Sequence, residues 1–282
     1  MKRVINGSHQ GGWALLAALC IFAPPAARSA DLAAVLASDA GPYGEAYAAF
    51  RAELKRPADV YDASKPGFAP PEDVRFVAAF GARAVAAGRP PGTRGVYALA
   101  PVVMHGRGWH QVSMVPAPEA ALAAYRALQP GLRRLAVFWS AYPGEEYLRQ
   151  LRSAGARAGV EIISAKLKSP DSFPDRLRRL LGRMDAFWLM PDPALITTSS
   201  LLVLSNFSCA NSIPFYAPTP ALMHSGATAS LAPDFAQSGA AAAAVIESLY
   251  MGEEVASVVF VEHTQMKLNE ALIGKCRWPI KK

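Results

Sequence analysis

The sequence predicts an α/β protein built from two similar lobes, each a parallel sheet wrapped by helices. Three observations predict this. First, Ala34-Val35-Leu36-Ala37-Ser38 followed by Gly41-Pro42-Tyr43-Gly44-Glu45 is answered a hundred residues later. There Ala136-Val137-Phe138-Trp139-Ser140 leads into Tyr142-Pro143-Gly144-Glu145-Glu146. Each copy is an apolar run, a serine, a Gly/Pro turn and an acidic helix start, so one strand–turn–helix unit is used twice. Second, apolar runs alternate with amphipathic segments along the whole chain, the pattern of a parallel sheet covered on both faces. Third, a 282-residue chain with 52% hydrophobic and 18% charged residues has enough apolar material for two cores and is not a disordered chain.

The elements follow in order. The N-terminus pairs Lys2 and Arg3 with the apolar stretch 13–22, Pro24-Pro25, and Ala27-Arg28-Ser29. This is the pattern of an export leader, with cleavage before Ala30 or Asp31, and its ten apolar residues are too few to span a bilayer. Leu19 stands where a lipidated Cys20 would require a small residue, so an acylated cysteine is not expected. Strands are expected at 32–37, 58–61, 74–80 and 95–104. Helices are expected at 44–55 and 82–87, and the proline-rich segment 65–71 is expected to be a loop. His105-Gly106-Arg107-Gly108 reads as the first crossing between lobes; the histidines read as ordinary polar side chains, with cleft lining as the alternative for His105. A helix at 118–127 then leads to strand 135–139, helix 145–158 with Gly159 as its cap, and strand 160–164. Next come helix 175–182, strand 185–190, the rigid turn Pro191-Asp192-Pro193, helix 195–209 and strand 214–217. The Ala-rich helix 240–251, a strand at 258–262 and a short turn at 269–274 close the chain.

Removing residues 1–30 takes away Lys2, Arg3 and Arg28 and no acid, which leaves 26 basic side chains against 22 acidic ones, a net of +4. This mild, scattered charge does not suggest a nucleic-acid partner. Cys209 and Cys276 would either pair or remain two free thiols, since bridging needs Cα atoms within roughly 7 Å. No Cys-x-x-Cys, Gly-x-Ser-x-Gly, phosphate loop, dinucleotide fingerprint or metal-spaced histidine pair occurs. Neither an enzyme nor a bound cofactor or metal is expected.

In open parallel sheets, ligands sit beyond the carboxyl ends of the strands. The candidate contacts are therefore Ser38, Asp39, Tyr43, Gly81, Ser140, Tyr142, Asp192 and Tyr216. Ser38 and Ser140 are equivalent in the repeat and would cap a turn, touch a ligand, or both. Asp39 and Asp192 would take an ammonium, Asp192 being fixed by two prolines. Tyr43 and Tyr142 would supply an aromatic floor, unless they belong to the lobe cores.

Four segments together resemble one family. They are Ala34–Asp39 with Gly41-Pro42-Tyr43, Val77-Ala-Ala-Phe-Gly-Ala-Arg-Ala84, Leu128-Gln-Pro-Gly-Leu-Arg-Arg-Leu-Ala-Val-Phe138, and Met184-Asp-Ala-Phe-Trp-Leu-Met-Pro-Asp-Pro193. In this order they resemble the exported substrate-binding proteins of ABC transporters, of the type with tryptophan- and tyrosine-binding members. The resemblance implies a type I periplasmic-binding-protein fold: two Rossmann-like lobes joined by a three-segment hinge. On it, 31–105 and 227–257 form the first lobe, and 106–226 and 258–282 the second. It implies a monomer in the periplasm that carries a small organic ligand, such as an amino acid, to an ABC transporter permease in the inner membrane. The alternatives are a ligand-sensing protein for a membrane receptor and a diverged member without a transport role.

Overall fold

A computed structural model describes residues 30–69, 72–104 and 108–281. The export leader, Cys20 and His105 lie outside the described residues. So does most of the crossing expected at 105–108.

The first lobe opens with strand β1 (Leu32–Leu36), helix α1 (Pro42–Glu53), β2 (Asp59–Asp62), β3 (Phe76–Phe80), α2 (Ala82–Ala86), β4 (Arg94–Ala98) and β5 (Trp109–Val112). The second lobe follows with α3 (Pro118–Leu128), β6 (Arg134–Trp139), α4 (Glu145–Ala158), β7 (Glu161–Lys166) and α5 (Phe173–Leu180). It continues through β8 (Ala186–Leu189), α6 (Thr198–Asn211), β9 (Phe215–Ala217) and β10 (Ala229–Pro233). Helix α7 (Phe235–Tyr250) and β11 (Val258–Val259) return to the first lobe. β12 (Thr264–Leu268) and α8 (Glu270–Cys276) finish in the second.

Among the described residues, the strands form two six-stranded sheets. Their orders are β11-β5-β4-β3-β1-β2 and β12-β10-β9-β8-β6-β7. β1 and β6 hold equivalent places in the two sheets, as the internal repeat requires. The all-apolar sequences of β1 and β3 fit strands covered on both faces, and every residue of both is buried. Helix α7 closes the first lobe by laying Ala242, Ala243 and Ile246 against Ala46 and Phe50 of α1.

Sheet membership moves each expected crossing by several residues. β5 pairs with β4 in the first sheet, so the chain leaves that lobe at 113–117 and not at 105–108. The reason is local. The segment after β4 folds back on Tyr97, whose hydroxyl donates to Val102 O (3.3 Å) and accepts from Met104 N (3.3 Å). β10, expected in the first lobe, pairs with β9 in the second, and β11, expected in the second, pairs with β5 in the first. The other two crossings therefore lie at 233–235 and 260–263. The sheets were expected to be parallel throughout, but β12 runs antiparallel to β10. Its chain enters from the hinge end, so an edge position with reversed direction is the short solution.

Cys209 and Cys276 are joined in a disulfide, with Cα atoms 4.5 Å apart. The bridge fastens α8 to α6, beside Trp278, whose indole Nε1 donates to Ser208 Oγ (3.0 Å). Among the described residues no helix is long and apolar enough to cross a membrane.

Candidate functional site

The carboxyl ends of both sheets face the region between the lobes, and the loops that follow β1, β3 and β6 each lead into a helix headed by glycine. Gly41, Gly81 and Gly144 sit at φ 63°, 97° and 94°, and none of the three helices has a side-chain cap. A glycine is used because this backbone region strains any residue with a Cβ. Free N–H groups at such helix starts carry partial positive charge and favour an anion. By contrast, α6 and α7 are closed by Thr197 and by Asp234, whose side chains accept first-turn N–H groups.

Two concavities flank the lobe crossings, and the internal repeat relates them. The first, about 700 Å³, lies at the start of α4 and is lined by Gly144, Glu145, Glu146, Tyr142 and Trp139 of the second lobe. Val103 and Gln111 of the first lobe and the crossing residues Ser113 and Phe260 complete it. The second, about 520 Å³, lies at the start of α1. Tyr43, Glu45 and Leu99 of the first lobe face Pro218, Thr219 and Lys267 of the second, with Met114, Asp234 and Phe235 from the crossings. It is mostly apolar, with one acid and one base exposed at its rim. Asp234 is already engaged, accepting from Ala236 N through Oδ1 (2.7 Å) and from Gln265 Nε2 through Oδ2 (2.6 Å). Leu99 holds φ 54° at the end of β4, the left-handed region that a bulky side chain rarely occupies.

The expected contacts divide sharply. Tyr43 lines the second concavity and Tyr142 the first. Gly81 lies under the ring of Tyr43: a Cβ there would stand 2.6 Å from Tyr43 Cε1. Asp39 is exposed. Ser38 is half-buried, and its Oγ accepts from Ala40 N (3.3 Å), a turn bond. Ser140 meets Asp192 through its backbone N.

Asp192 has a different place from the one expected. It is 2% exposed, and Oδ2 accepts the backbone N–H groups of Ser140 (3.0 Å), Ala141 (2.6 Å) and Tyr142 (3.0 Å). Oδ1 accepts from Ala194 N (3.1 Å). The carboxylate orders the loop after β6, and four N–H groups leave it little capacity for a ligand ammonium. Tyr216 is also corrected. It is buried in the second lobe's core, stacked on Tyr125 with ring centroids 4.2 Å apart, and donates to Gln129 Oε1 (2.7 Å). A strand alternates its side chains: Tyr216 falls on the face covered by α3 and α4, while Phe215 and Ala217 face α5 and α6. Burial holds its phenol far above the usual range.

Tyr142 ties the lobes together. Its hydroxyl accepts from Met114 N (3.0 Å) in the crossing and from Gln111 Nε2 (3.2 Å) in β5. Burial pushes its pKa up to about 12, with hydrogen bonds from Met114 and Ser113 pulling the other way. The hydroxyl therefore stays neutral at physiological pH. Gln111, Leu99, Met114 and Lys267 escaped the sequence reading. Only Lys267 carried a signal, as the charged member of an alternating strand. Among the described residues, no group of three or more His, Cys, Asp or Glu is placed to hold a metal.

Comparison with known proteins gives two findings. The sequence profile described as "ABC transporter substrate binding protein" matches residues 118–273. Solved structures with the same architecture cover nearly the whole chain. One is an ABC domain in complex with L-Trp from Streptococcus pneumoniae: TM-score 0.57, 14% identity, spanning 89% of this chain and 96% of that one. Another is the ligand-free, open form of a substrate binding protein with adhesive properties from Clostridium difficile: TM-score 0.60, 13% identity, 89% and 95%. A third is a conserved domain protein from Vibrio cholerae: TM-score 0.57, 14% identity, 90% and 97%. At these identities the likeness concerns the fold. No curated protein matches the chain in sequence.

Proposed function

Because the chain belongs to the ABC transporter substrate binding protein family and has the type I periplasmic-binding-protein fold, we propose that it captures a zwitterionic organic ligand of amino-acid size between its lobes and delivers it to an inner-membrane ABC permease. The family is a solute-binding, non-enzymatic class whose members generally work outside the cytoplasm. A cleaved leader, a periplasmic location and a monomeric state accord with this reading.

One observation carries it. The 520 Å³ concavity is lined from both lobes and pairs an apolar floor with an acid, a base and the uncapped start of α1. An amino-acid carboxylate suits the α1 N–H groups and Lys267, an ammonium suits Glu45, and the side chain would rest on Tyr43, Leu99 and Met114. Contacts to both lobes at once favour the closed arrangement over the open one, which is the signal a permease reads.

The test is a thermal-shift screen of the exported protein against amino acids and small organic acids. A ligand at 100 times its dissociation constant stabilises the protein by about 2.7 kcal/mol. A clear rise in midpoint with at least one zwitterion is expected. A flat response across the whole panel overturns the proposal.

A further inference from the structure

The first described residues are hydrogen-bonded into the first lobe. The carbonyl of Asp31 accepts from Arg75 N (2.8 Å) and Phe76 N (3.1 Å), which sets the register of β1 on β3. Its carboxylate accepts from the hydroxyl of Tyr250 on α7 and from Arg75 Nη1 (3.4 Å). One residue earlier, Ala30 N donates to Asp59 Oδ2 (2.9 Å), at the first residue of the edge strand β2. Three elements thus converge on Ala30 and Asp31. Ala30 is also where small residues at Ala27 and Ser29 mark a cut.

We propose that hydrolysis of the Ser29–Ala30 bond frees an α-ammonium on Ala30 that docks on the Asp59 carboxylate and pins β1 to the sheet edge. Water adds to the Ser29 carbonyl carbon and the C–N bond breaks. Ser29 keeps the new carboxyl group, and the Ala30 nitrogen leaves as an amine that takes up a proton at neutral pH. The agent is a leader peptidase of the export route. Before the cut Ala30 offers Asp59 one N–H; after it, three N–H donors and a full positive charge at the same spot. A cut one residue later would discard the Asp59 contact, so the inference requires the cut before Ala30.

This rests on reading residues 1–29 as an export leader, and the experiment separates the two ideas. The full chain is exported from a bacterial host and its intact mass measured; a product beginning at Ala30 is expected. Thermal midpoints are then compared for the exported protein, Asp59→Asn and Asp59→Glu. An α-amino group titrates near 7.7–8.0 when free, and a carboxylate partner raises that value. The pair's contribution is therefore whole below about pH 7.7 and disappears as pH rises through the raised folded value. Asp59→Asn should lower the midpoint by about 1–3 °C at pH 7, as an exposed pair in a chain of this size does, and by less than half of that at pH 10. Asp59→Glu should keep most of the wild-type midpoint. A mass retaining residues 1–29 overturns both the leader reading and this inference. A product beginning elsewhere leaves export standing and overturns the inference. An Asp59→Asn effect equal at pH 7 and pH 10 overturns the docking alone.

Discussion

Tyr142 of the second lobe reaches Gln111 of the first, its hydroxyl 3.2 Å from Nε2, and the same oxygen receives the Met114 N–H of the crossing between them. One buried phenol thus fixes a loop of one lobe to a strand and a hinge of the other. Tyr142→Phe keeps the ring and leaves both donors without their acceptor. The expected loss of stability is about 1–3 kcal/mol, read from urea denaturation of the ligand-free protein. Wild-type stability for this variant would show that the hydroxyl does not brace the crossing.

Asp192 organises the same loop from behind. Asp192→Asn replaces one acceptor oxygen with an NH2 group facing N–H donors. We expect a loss of about 1.5–3 kcal/mol in ligand-free stability, the cost of removing hydrogen bonds to a buried charge. A residue that only met a ligand's ammonium would leave ligand-free stability unchanged, so the apo measurement separates the roles. An unaltered apo midpoint with weakened ligand binding would reinstate direct contact.

Gly81 supports Tyr43. A Cβ at Gly81 would meet Tyr43 Cε1 at 2.6 Å and Ala37 Cβ at 2.7 Å, on a backbone with φ of 97°. Gly81→Ala should cost about 1–3 kcal/mol of stability from the strained backbone alone. It should also displace the Tyr43 ring and weaken binding of whatever ligand the thermal-shift screen identifies. Adding Tyr43→Ala should recover part of the stability, because the clash with the ring is relieved while the contact with Ala37 and the strained backbone remain. No recovery at all would show that Ala37 and the backbone carry the entire cost.

At the outer end of α7, the guanidinium of Arg56 holds the Glu247 carboxyl below its ordinary value of 4.5, against the opposing effect of partial burial. The folded value is the lower one, so the pair contributes fully above pH 4.5 and its contribution is lost as pH falls through the folded value. With side chains 30% and 18% exposed, solvent screening limits it to about 1 kcal/mol or less. Glu247→Gln should lower the midpoint at pH 7 and converge with wild type near pH 2. A difference that persists in acid would point to packing and not to charge.

The strands with unbroken apolar runs were legible in the sequence. β1, β3, β6 and β8 lie within a few residues of their expected bounds, because burial on both faces leaves only one composition open to them. β5 and β10 were not, and both border the crossings. Trp109-His110-Gln111-Val112 is half polar, and Ala229–Pro233 contains a serine and ends in proline. Strands beside a hinge carry groups that bond across it, as Gln111 does with Tyr142, so their composition departs from that of a covered strand. For the site, the sequence located the loops but not the direction of the side chains. Asp192 occupies the expected turn and looks inward to four amides. Tyr216 stands on the expected strand and faces the core.

The chain passes between the lobes three times, an odd number, and this fixes where its ends are. β1 begins in the first sheet, while α8 and Trp278 are fastened to the second lobe. With two or four passages both ends would ride on the same body and their separation would ignore any hinge motion. With three, the ends belong to different bodies, and the distance between them follows the angle at which those bodies meet. A donor and acceptor dye placed beside β1 and beside Trp278 would turn the polypeptide into its own protractor.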